Sequence, residues 1–192
     1  MLSALRKISL ILFIAGAGIG LFYITKNYTN IPARIVSPIE NQIQPKPVRI
    51  KIPAIHVDAS MEDLGLNSDG TLAVPKEWEN VGWYTGAPAP GGAGPAVMVG
   101  HLDSLTGKAV FWDLKNLKNG DEIFVEREDG SVAVFKAGEK ETYSQDNFPT
   151  EKVYGPIDYA GLRLITCYGK YSQLKGRYSD NLVVYARLDR IN

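Results

Sequence analysis

The sequence has little of what usually identifies a binding site: one cysteine, two histidines and no net charge among 192 residues. Its single cysteine, Cys167, has no partner for an internal disulfide. One cysteine and two histidines are too few for the ligand sets of structural zinc sites. We therefore expect neither a metal nor another cofactor.

An excess of basic residues is also missing from the folded part of the chain. Residues 1–47 contain five Lys or Arg and one Glu, whereas residues 48–192 contain 16 basic and 20 acidic residues. A mildly acidic domain lacks the basic surface that binds nucleic acid. The charge distribution argues against a nucleic-acid partner.

Helical periodicity is scarce, and 19 glycines and 11 prolines indicate many turns. We expect only a turn at residues 75–80 and a short helix near residues 110–117. The strong Asp129-Gly130 turn signal lies between two predicted strands. The pattern favours an all-β barrel. Apolar runs and alternating residues predict strands at residues 48–52, 96–99, 121–126, 131–135, 162–166 and 182–188.

One long apolar run is present, over residues 8–25, directly after Arg6 and Lys7. Its 18 uncharged residues are at the short end of what spans a bilayer. The basic pair predicts that the N-terminus is inside and the rest of the chain outside. A cleaved signal peptide is the alternative, because Ala15-Gly16-Ala17 resembles a small-residue cleavage site. We expect an uncleaved membrane-anchor helix, because apolar sequence continues beyond that site.

The remaining boundaries follow from composition. Residues 1–7 form a basic cytoplasmic segment. Residues 26–47 contain four prolines and no apolar periodicity, which predicts an extended linker. A single folded domain is then expected over residues 48–192.

Three residues carry the chemistry of the domain. Cys167 follows one predicted strand, His101 ends another, and Arg177 lies in the expected loop after the cysteine. A thiol becomes nucleophilic as a thiolate beside a base or cation, and histidine can then return the proton to a leaving group. Arginine can stabilise an oxyanion. These are the parts of a cysteine acyl-transfer enzyme, although a buried structural cysteine in a non-catalytic binding module would also explain Cys167.

Four segments resemble the sortases, the membrane-anchored cysteine transpeptidases of Gram-positive bacteria. Residues 49–59 resemble the opening strand of that family, and Val99-Gly100-His101 resembles the end of its catalytic-histidine strand. Leu164-Ile165-Thr166-Cys167 resembles its leucine-x-threonine-cysteine signature, and Arg177 falls where the arginine of the family follows.

The branch within the family is indicated by two further segments. Residues 147–155 and 178–186 are most similar to class F sortases. Relatives in that class usually have two glycines after the cysteine, where this chain has Tyr168-Gly169. A side chain at Tyr168 is expected to affect rate or specificity rather than reaction type.

The resemblance implies a closed eight-stranded barrel with one or two short helices, and a catalytic domain at residues 48–192. Cys167 would attack the carbonyl after threonine in a Leu-Pro-x-Thr-Gly-like signal near the C-terminus of a secreted protein. His101 would protonate the leaving amine, Arg177 would stabilise the oxyanion, and Thr166 would contact the substrate. An amine of a peptidoglycan precursor would resolve the thioester, unless water does so and the enzyme acts as a hydrolase.

The resemblance also places the protein in the cell membrane as a single-pass protein with an extracellular catalytic domain. Residues 149–159, just before the cysteine strand, would form one wall of the substrate groove. Papain-like and NlpC-type peptidases place cysteine before histidine, opposite to the order here. An L,D-transpeptidase has the observed order but usually carries a serine-x-glycine-cysteine sequence, which Cys167 lacks.

Other polar and aromatic residues are interpreted as structural. His56 is expected on the surface. The acidic residues Glu126, Glu128 and Asp129 lack the spacing of an EF-hand loop and are expected in a solvated turn. Core packing is the default expectation for the tryptophans Trp78, Trp83 and Trp112.

Overall fold

The structure, a computed structural model, describes residues 44–192. The expected cytoplasmic segment, the membrane anchor at residues 8–25 and nearly all of the linker lie outside the described residues. Within residues 44–192, no helix is both long and apolar enough to cross a bilayer.

Eight strands close into a barrel in the order β1-β2-β3-β4-β9-β10-β8-β7, and β5 pairs with β6 beside it. This closed barrel confirms the predicted architecture. The strands are β1 Pro47–Ile52, β2 Val57–Leu64, β3 Val81–Tyr84, β4 Gly94–Gly100, β5 Asp103–Ser104, β6 Gly107–Lys108, β7 Glu122–Arg127, β8 Val132–Ser144, β9 Ala160–Ser172 and β10 Arg177–Ile191.

Within residues 44–192, helical structure is limited, as predicted for this part of the chain. There, one short α-helix, α1, spans Thr150–Tyr154, and 3-10 turns span Pro53–Ile55, Leu114–Asn116 and Gln145–Asn147. The helix predicted near residues 110–117 is only the 3-10 turn, because its apolar residues Phe111, Leu114 and Leu117 are held in the core without a regular helix around them. The expected turn at residues 75–80 is present, and the amide of Asn80 donates to the carbonyl of Glu77.

Two barrel strands were not predicted from the sequence. β2 alternates buried and exposed residues only over its first half, and β3 has four residues, one of them a glycine. The parallel pairing of β2 with β3 brings together residues about 20 positions apart. Such short or irregular segments are recognisable as strands only once their partners are known.

β9 and β10 extend further than the sequence predicts. Cys167 lies within β9, and Arg177 is the first residue of β10 rather than part of a loop. The antiparallel ladder continues beyond Cys167 because a register shift between Tyr178 and Asp180 is absorbed in β10. Opposite this shift, Gly169 of β9 adopts a left-handed backbone conformation at φ +85°, which other residues rarely tolerate.

The strand pleat determines which residues enter the barrel. In β9, Leu162 and Leu164 are fully buried in the interior cluster, whereas Ile165 belongs to a second cluster on the outer face beneath α1. Because side chains alternate between faces along a strand, Cys167 is placed on the outer face with Ile165. The interior core therefore packs against the inner face of β9, and Cys167 lies on the opposite face of that strand.

Candidate active site

The order of the strands in the barrel brings the predicted site residues His101, Cys167 and Arg177 to one region of its surface. β4 and β9 run parallel, with Val99 opposite Ile165, so that the carboxyl end of β4 lies beside the middle of β9. His101 directly follows β4, and Cys167 lies two residues beyond Ile165. Arg177 begins β10, the neighbour of β9 on its other side. The side chains of His101, Cys167 and Arg177 line two shared cavities.

Cys167 is a half-buried thiol in an environment that disfavours its ionisation. Burial raises the pKa of the Cys167 thiol, and the Asp103 carboxylate raises it further. Gln145 acts in the opposite direction, with its Nε2 4.0 Å from Sγ. A proton-accepting partner is therefore needed to generate the thiolate.

His101 is held by contacts on both sides of its ring. Its Nε2 lies 2.8 Å from the carbonyl oxygen of Pro75, and because a carbonyl can only accept, we assign the proton to Nε2. The Trp78 ring packs against the imidazole at a centroid distance of 4.3 Å. Nδ1 is thereby the nitrogen left for proton exchange at the cavity.

Arg177 is positioned by residues that the sequence analysis did not identify. Its Nη1 donates to Oε1 of Gln145 at 3.1 Å, and its Nη2 forms an ion pair with Asp146. Hydrogen bonds from Lys175 and Arg177 lower the pKa of Asp146. The guanidinium is therefore oriented by an ionised carboxylate.

Gln145 links the cysteine side of the site to the arginine side. Its Nε2 also donates to Oδ1 of Asn181 at 2.9 Å, and Asn181 lies opposite Cys167 in the ladder of β9 and β10. Gln145 follows the end of β8, which pairs with β10 at Ser144. Because this proximity depends on the register of three strands, no local sequence signal pointed to it.

Thr166 borders one of these cavities too, but it is almost fully buried. Its side chain is 2% exposed, and its Oγ1 has no hydrogen-bond partner among the described residues. It lies opposite Leu182, which belongs to the interior cluster. Contact between its hydroxyl and a substrate stays a prediction.

The first cavity, of about 380 Å³, is an apolar groove that ends at the three polar residues. Ile165 and Val99 line it from the two parallel strands, Phe148 lines it just before α1, and Tyr154 lines it from the last position of α1. Tyr154 confirms that the segment at residues 149–159 contributes to the groove. The remaining apolar lining comes from Leu72 and Val74.

The second cavity, of about 520 Å³, lies on the other side of the same residues. Trp78 was expected in the core, but it is 42% exposed and lines this cavity because its ring covers His101. Trp83 is buried, as expected. The cavity also contains Asp103 and Tyr178, which form a hydrogen bond.

The remaining candidates behave as structural residues. His56 is exposed and adopts a left-handed backbone conformation after the first 3-10 turn. Asp129 accepts hydrogen bonds from the amide and hydroxyl of Ser131 and lies in an exposed turn, in agreement with the interpretation of this hairpin. Within residues 44–192, no group of three His, Cys, Asp or Glu side chains is arranged to hold a metal ion.

Comparison with solved structures places this barrel among known ones. Sortase A from Corynebacterium diphtheriae is 21% identical with a TM-score of 0.58, and the match covers 78% of this chain and 63% of that one. Sortase A from Listeria monocytogenes is 17% identical with a TM-score of 0.58, covering 76% and 89%. Sortase C-1 from Actinomyces oris is 25% identical with a TM-score of 0.58, covering 76% of each chain.

The sequence itself matches a family model. The sortase-domain model matches residues 50–189, which is most of the described part of the chain. No curated protein sequence gives a match. The family match, together with the barrel that it spans, shows that this chain belongs to the sortase family of cysteine transpeptidases.

Proposed function

We propose that this chain is a class F-like sortase that cleaves a Leu-Pro-x-Thr-Gly-like sorting signal after threonine and transfers the threonyl group to a cell-wall amine. The observation that carries the proposal is the apolar groove that ends at Cys167, His101 and Arg177. An apolar groove suits the leucine and proline of such a signal. A thiol, an imidazole and a guanidinium at its end are the groups that acyl transfer requires.

The first half-reaction forms a thioester. Cys167 loses its proton to Nδ1 of His101, and the thiolate attacks the threonine carbonyl carbon to form a C–S bond. The C–N bond to glycine then breaks, and the imidazolium returns the proton to the leaving amine. His101 is left neutral beside an acylated Cys167.

The second half-reaction resolves the thioester. The nitrogen of a neutral amine attacks the carbonyl carbon, the C–S bond breaks, and sulfur leaves as a thiolate. The proton lost by the nitrogen passes to His101 and from there to the sulfur of Cys167, which restores the starting thiol and neutral imidazole. With water in place of the amine, the same steps give hydrolysis, which is the alternative outcome.

Arg177 is proposed to stabilise the oxyanion in both halves. Its guanidinium stays charged at physiological pH, and Gln145 and Asp146 orient it beside the thiol. A donor of this kind that is fixed before the reaction contributes more to the transition state than to the ground state.

The class and location rest on sequence likeness. Residues 147–155, which resemble class F, include α1 and the groove residue Tyr154. Residues 8–25 are proposed to anchor the protein, with residues 26–47 as a linker and the domain outside the cell. Secreted proteins that carry a sorting signal and a peptidoglycan-precursor amine are the proposed partners.

The test uses the full chain in detergent with Leu-Pro-x-Thr-Gly and Leu-Ala-x-Thr-Gly peptides, with and without an amine. Mass spectrometry should show cleavage after threonine, an amine-capped product when the amine is present, and no product with Cys167→Ala. Capture by water alone would indicate a hydrolase. If no peptide is cleaved and folded Cys167 resists alkylation, a non-catalytic wall-binding module with a structural cysteine replaces this proposal.

A further inference from the structure

The second cavity differs chemically from the apolar groove. Its walls include the aromatic rings of Trp78, Tyr171 and Tyr178 together with the carboxylate of Asp103. Tyr171 is 55% exposed, and its ring meets that of Tyr178 edge to face at a centroid distance of 5.3 Å. The cavity is thus an open space bordered by aromatic rings and one acidic group.

The Asp103 carboxylate in this cavity has no ion-pair partner in the part of the chain that the structure describes. Within residues 44–192, Asp103 forms no ion pair, whereas the nearby Arg177 is paired with Asp146. The Tyr178 hydroxyl donates to Oδ2 of Asp103, and no described side chain donates to Oδ1. This hydrogen bond, together with burial and the charge of Asp103, raises the pKa of Tyr178 to about 12, so the phenol stays protonated and holds the carboxylate in place.

A carboxylate surrounded by aromatic rings is a favourable environment for an ammonium group. The carboxylate forms a charge-assisted hydrogen bond with it, and ring faces attract cations. A primary amine of the lysine type is protonated near neutral pH and therefore reaches the enzyme as an ammonium ion. The second cavity matches the charge of the acceptor, whereas the first matches the apolar part of the donor.

The position of the cavity supports the same assignment. Both cavities are bordered by His101, Cys167 and Arg177. A thioester on Cys167 would lie where they meet, with the donor chain in the groove and its carbonyl open to the second cavity. An acceptor entering there would meet the carbonyl without displacing the donor.

We propose that the second cavity is the acceptor site, and that Asp103, held by Tyr178, selects acceptors carrying a primary ammonium group. The inference rests on the proposed function and assigns the second substrate of that reaction. The bound ammonium must become an amine before it attacks the thioester. Of the two protons that its nitrogen loses on forming the amide, one returns to His101 and the other leaves to solvent, while sulfur departs as the thiolate.

The experiment compares the full-length protein with Asp103→Asn and uses two nucleophiles of different charge. Lysine amide presents an ammonium group, whereas hydroxylamine is uncharged at neutral pH and needs no carboxylate. Asp189→Asn is the matched control, because it removes an acidic group near the far end of β10 from Arg177. Capture of the acyl group by each nucleophile is measured by mass spectrometry against peptide cleavage.

We expect Asp103→Asn to raise the concentration of lysine amide needed for half-maximal capture by about 10- to 100-fold, which is the range for a hydrogen bond to a charged group. Capture by hydroxylamine relative to peptide cleavage should change little, even though loss of the Asp103 charge shifts the pKa of Cys167. This result would show that the variant is folded and forms the thioester. Asp103→Glu should recover part of the capture by lysine amide, and Asp189→Asn should behave as the unchanged protein does.

The outcomes separate this inference from the proposed function. The assignment of Asp103 is overturned if the unchanged protein and Asp103→Asn need the same concentration of lysine amide for half-maximal capture. It is also overturned if Asp103→Asn loses capture by both nucleophiles equally. Peptide cleavage would continue in either case. Absence of cleavage by the unchanged protein would instead overturn the proposed function. A loss restricted to lysine amide supports the inference.

Discussion

The reactivity of Cys167 is set by a small number of neighbouring groups. Burial and the Asp103 carboxylate both raise the pKa of the thiol, whereas Gln145 opposes them. His101 faces the same cavities, with Nε2 occupied by the carbonyl of Pro75. The thiol is therefore kept protonated until His101 accepts the proton.

Replacing Asp103 by asparagine should lower the pKa of Cys167. The negative charge of Asp103 disfavours a nearby thiolate, so its removal favours the ionised form. The pH midpoint of Cys167 alkylation should shift downward, and below that midpoint alkylation at a given pH should be faster. Asp189→Asn serves as the control, and an unchanged or higher midpoint for Asp103→Asn would contradict the electrostatic explanation.

Arg177→Lys should reduce kcat/KM for peptide cleavage by about 10²-fold or more, the usual effect of losing an oxyanion donor. A lysine keeps the charge but cannot contact Gln145 and Asp146 with one planar fork. The comparison is with Lys175→Ala, which removes an exposed cation that shares Asp146. Similar activity in both variants would show that charge alone matters at Arg177.

His101 directly follows the end of β4, and this strand end is closely packed. Gly100 precedes His101, and the amide of Phe111 donates to the carbonyl of His101 at 2.9 Å. The fully buried Phe111 ring occupies the space beside Gly100. Because Gly100 has no side chain, the Phe111 ring can pack directly against the strand end that carries His101.

Gly100→Ala should destabilise the fold and reduce activity together. A methyl group there would lie 2.5 Å from Cδ2 of Phe111 and 2.8 Å from Cγ1 of Val110, so the core or the His101 backbone must move. Overpacking of this kind costs about 1–3 kcal/mol. Thermal unfolding and kcat/KM provide the measurements, and Gly65→Ala is the control because a methyl group there meets nothing within 4 Å. Equal stability of the two variants would contradict this account.

The wall of the groove depends on how α1 is attached to the barrel. Lys152 of α1 contacts both carboxylate oxygens of Glu141 on β8, at 2.6 and 2.7 Å. Val153 is fully buried on the outer face of the barrel, and Tyr154 turns toward the groove. An exposed ion pair and a buried apolar side chain thus hold α1 at the wall of the groove.

Lys152→Met should raise KM for the peptide by a few-fold and leave kcat nearly unchanged. Exposed ion pairs contribute little to unfolding free energy, so the thermal midpoint should hardly move. Lys136→Met removes a comparable pair with Glu122 elsewhere on β8 and should affect neither constant. A fall in kcat without a change in KM would show that α1 acts on the chemical step instead.

At the scale of the whole molecule, the interior of the barrel holds the apolar core, and its outer face holds the candidate active site. Interior residues such as Leu162 and Leu164 fill the core, while the outer face of β4 and β9 holds the groove. β1 completes the ring by pairing with both β2 and β7. The candidate active site lies at the adjacent strands β4, β9 and β10, and the other strands keep the barrel closed.

If residues 8–25 anchor the chain with the domain outside, a membrane-impermeant methanethiosulfonate reagent should label the full-length protein in intact cells. Cys167 is the sole thiol in the sequence, so the label reports the location of the active site directly. Cys167→Ala should remain unlabelled. Labelling that requires cell lysis would contradict the proposed orientation.

The sequence alone was sufficient for features that depend on local pattern. Alternating and continuous apolar runs predicted the long strands, and the residues next to them identified His101, Cys167 and Arg177 as candidates. Their convergence follows only from the barrel, where parallel pairing sets the end of β4 beside the part of β9 that carries Cys167. The number of residues between His101 and Cys167 in the sequence does not predict how far apart their side chains lie.

Other features were decided only by tertiary structure. Gln145 and Asp146 reach Arg177 through the register of β8 and β10. Trp78 and Asp103 reach the site from the segments before β3 and after β4. Local patterns determine which face of a strand is apolar, because burial follows the pleat. Contacts between distant polar side chains depend instead on pairing register and barrel closure, which only the complete fold specifies.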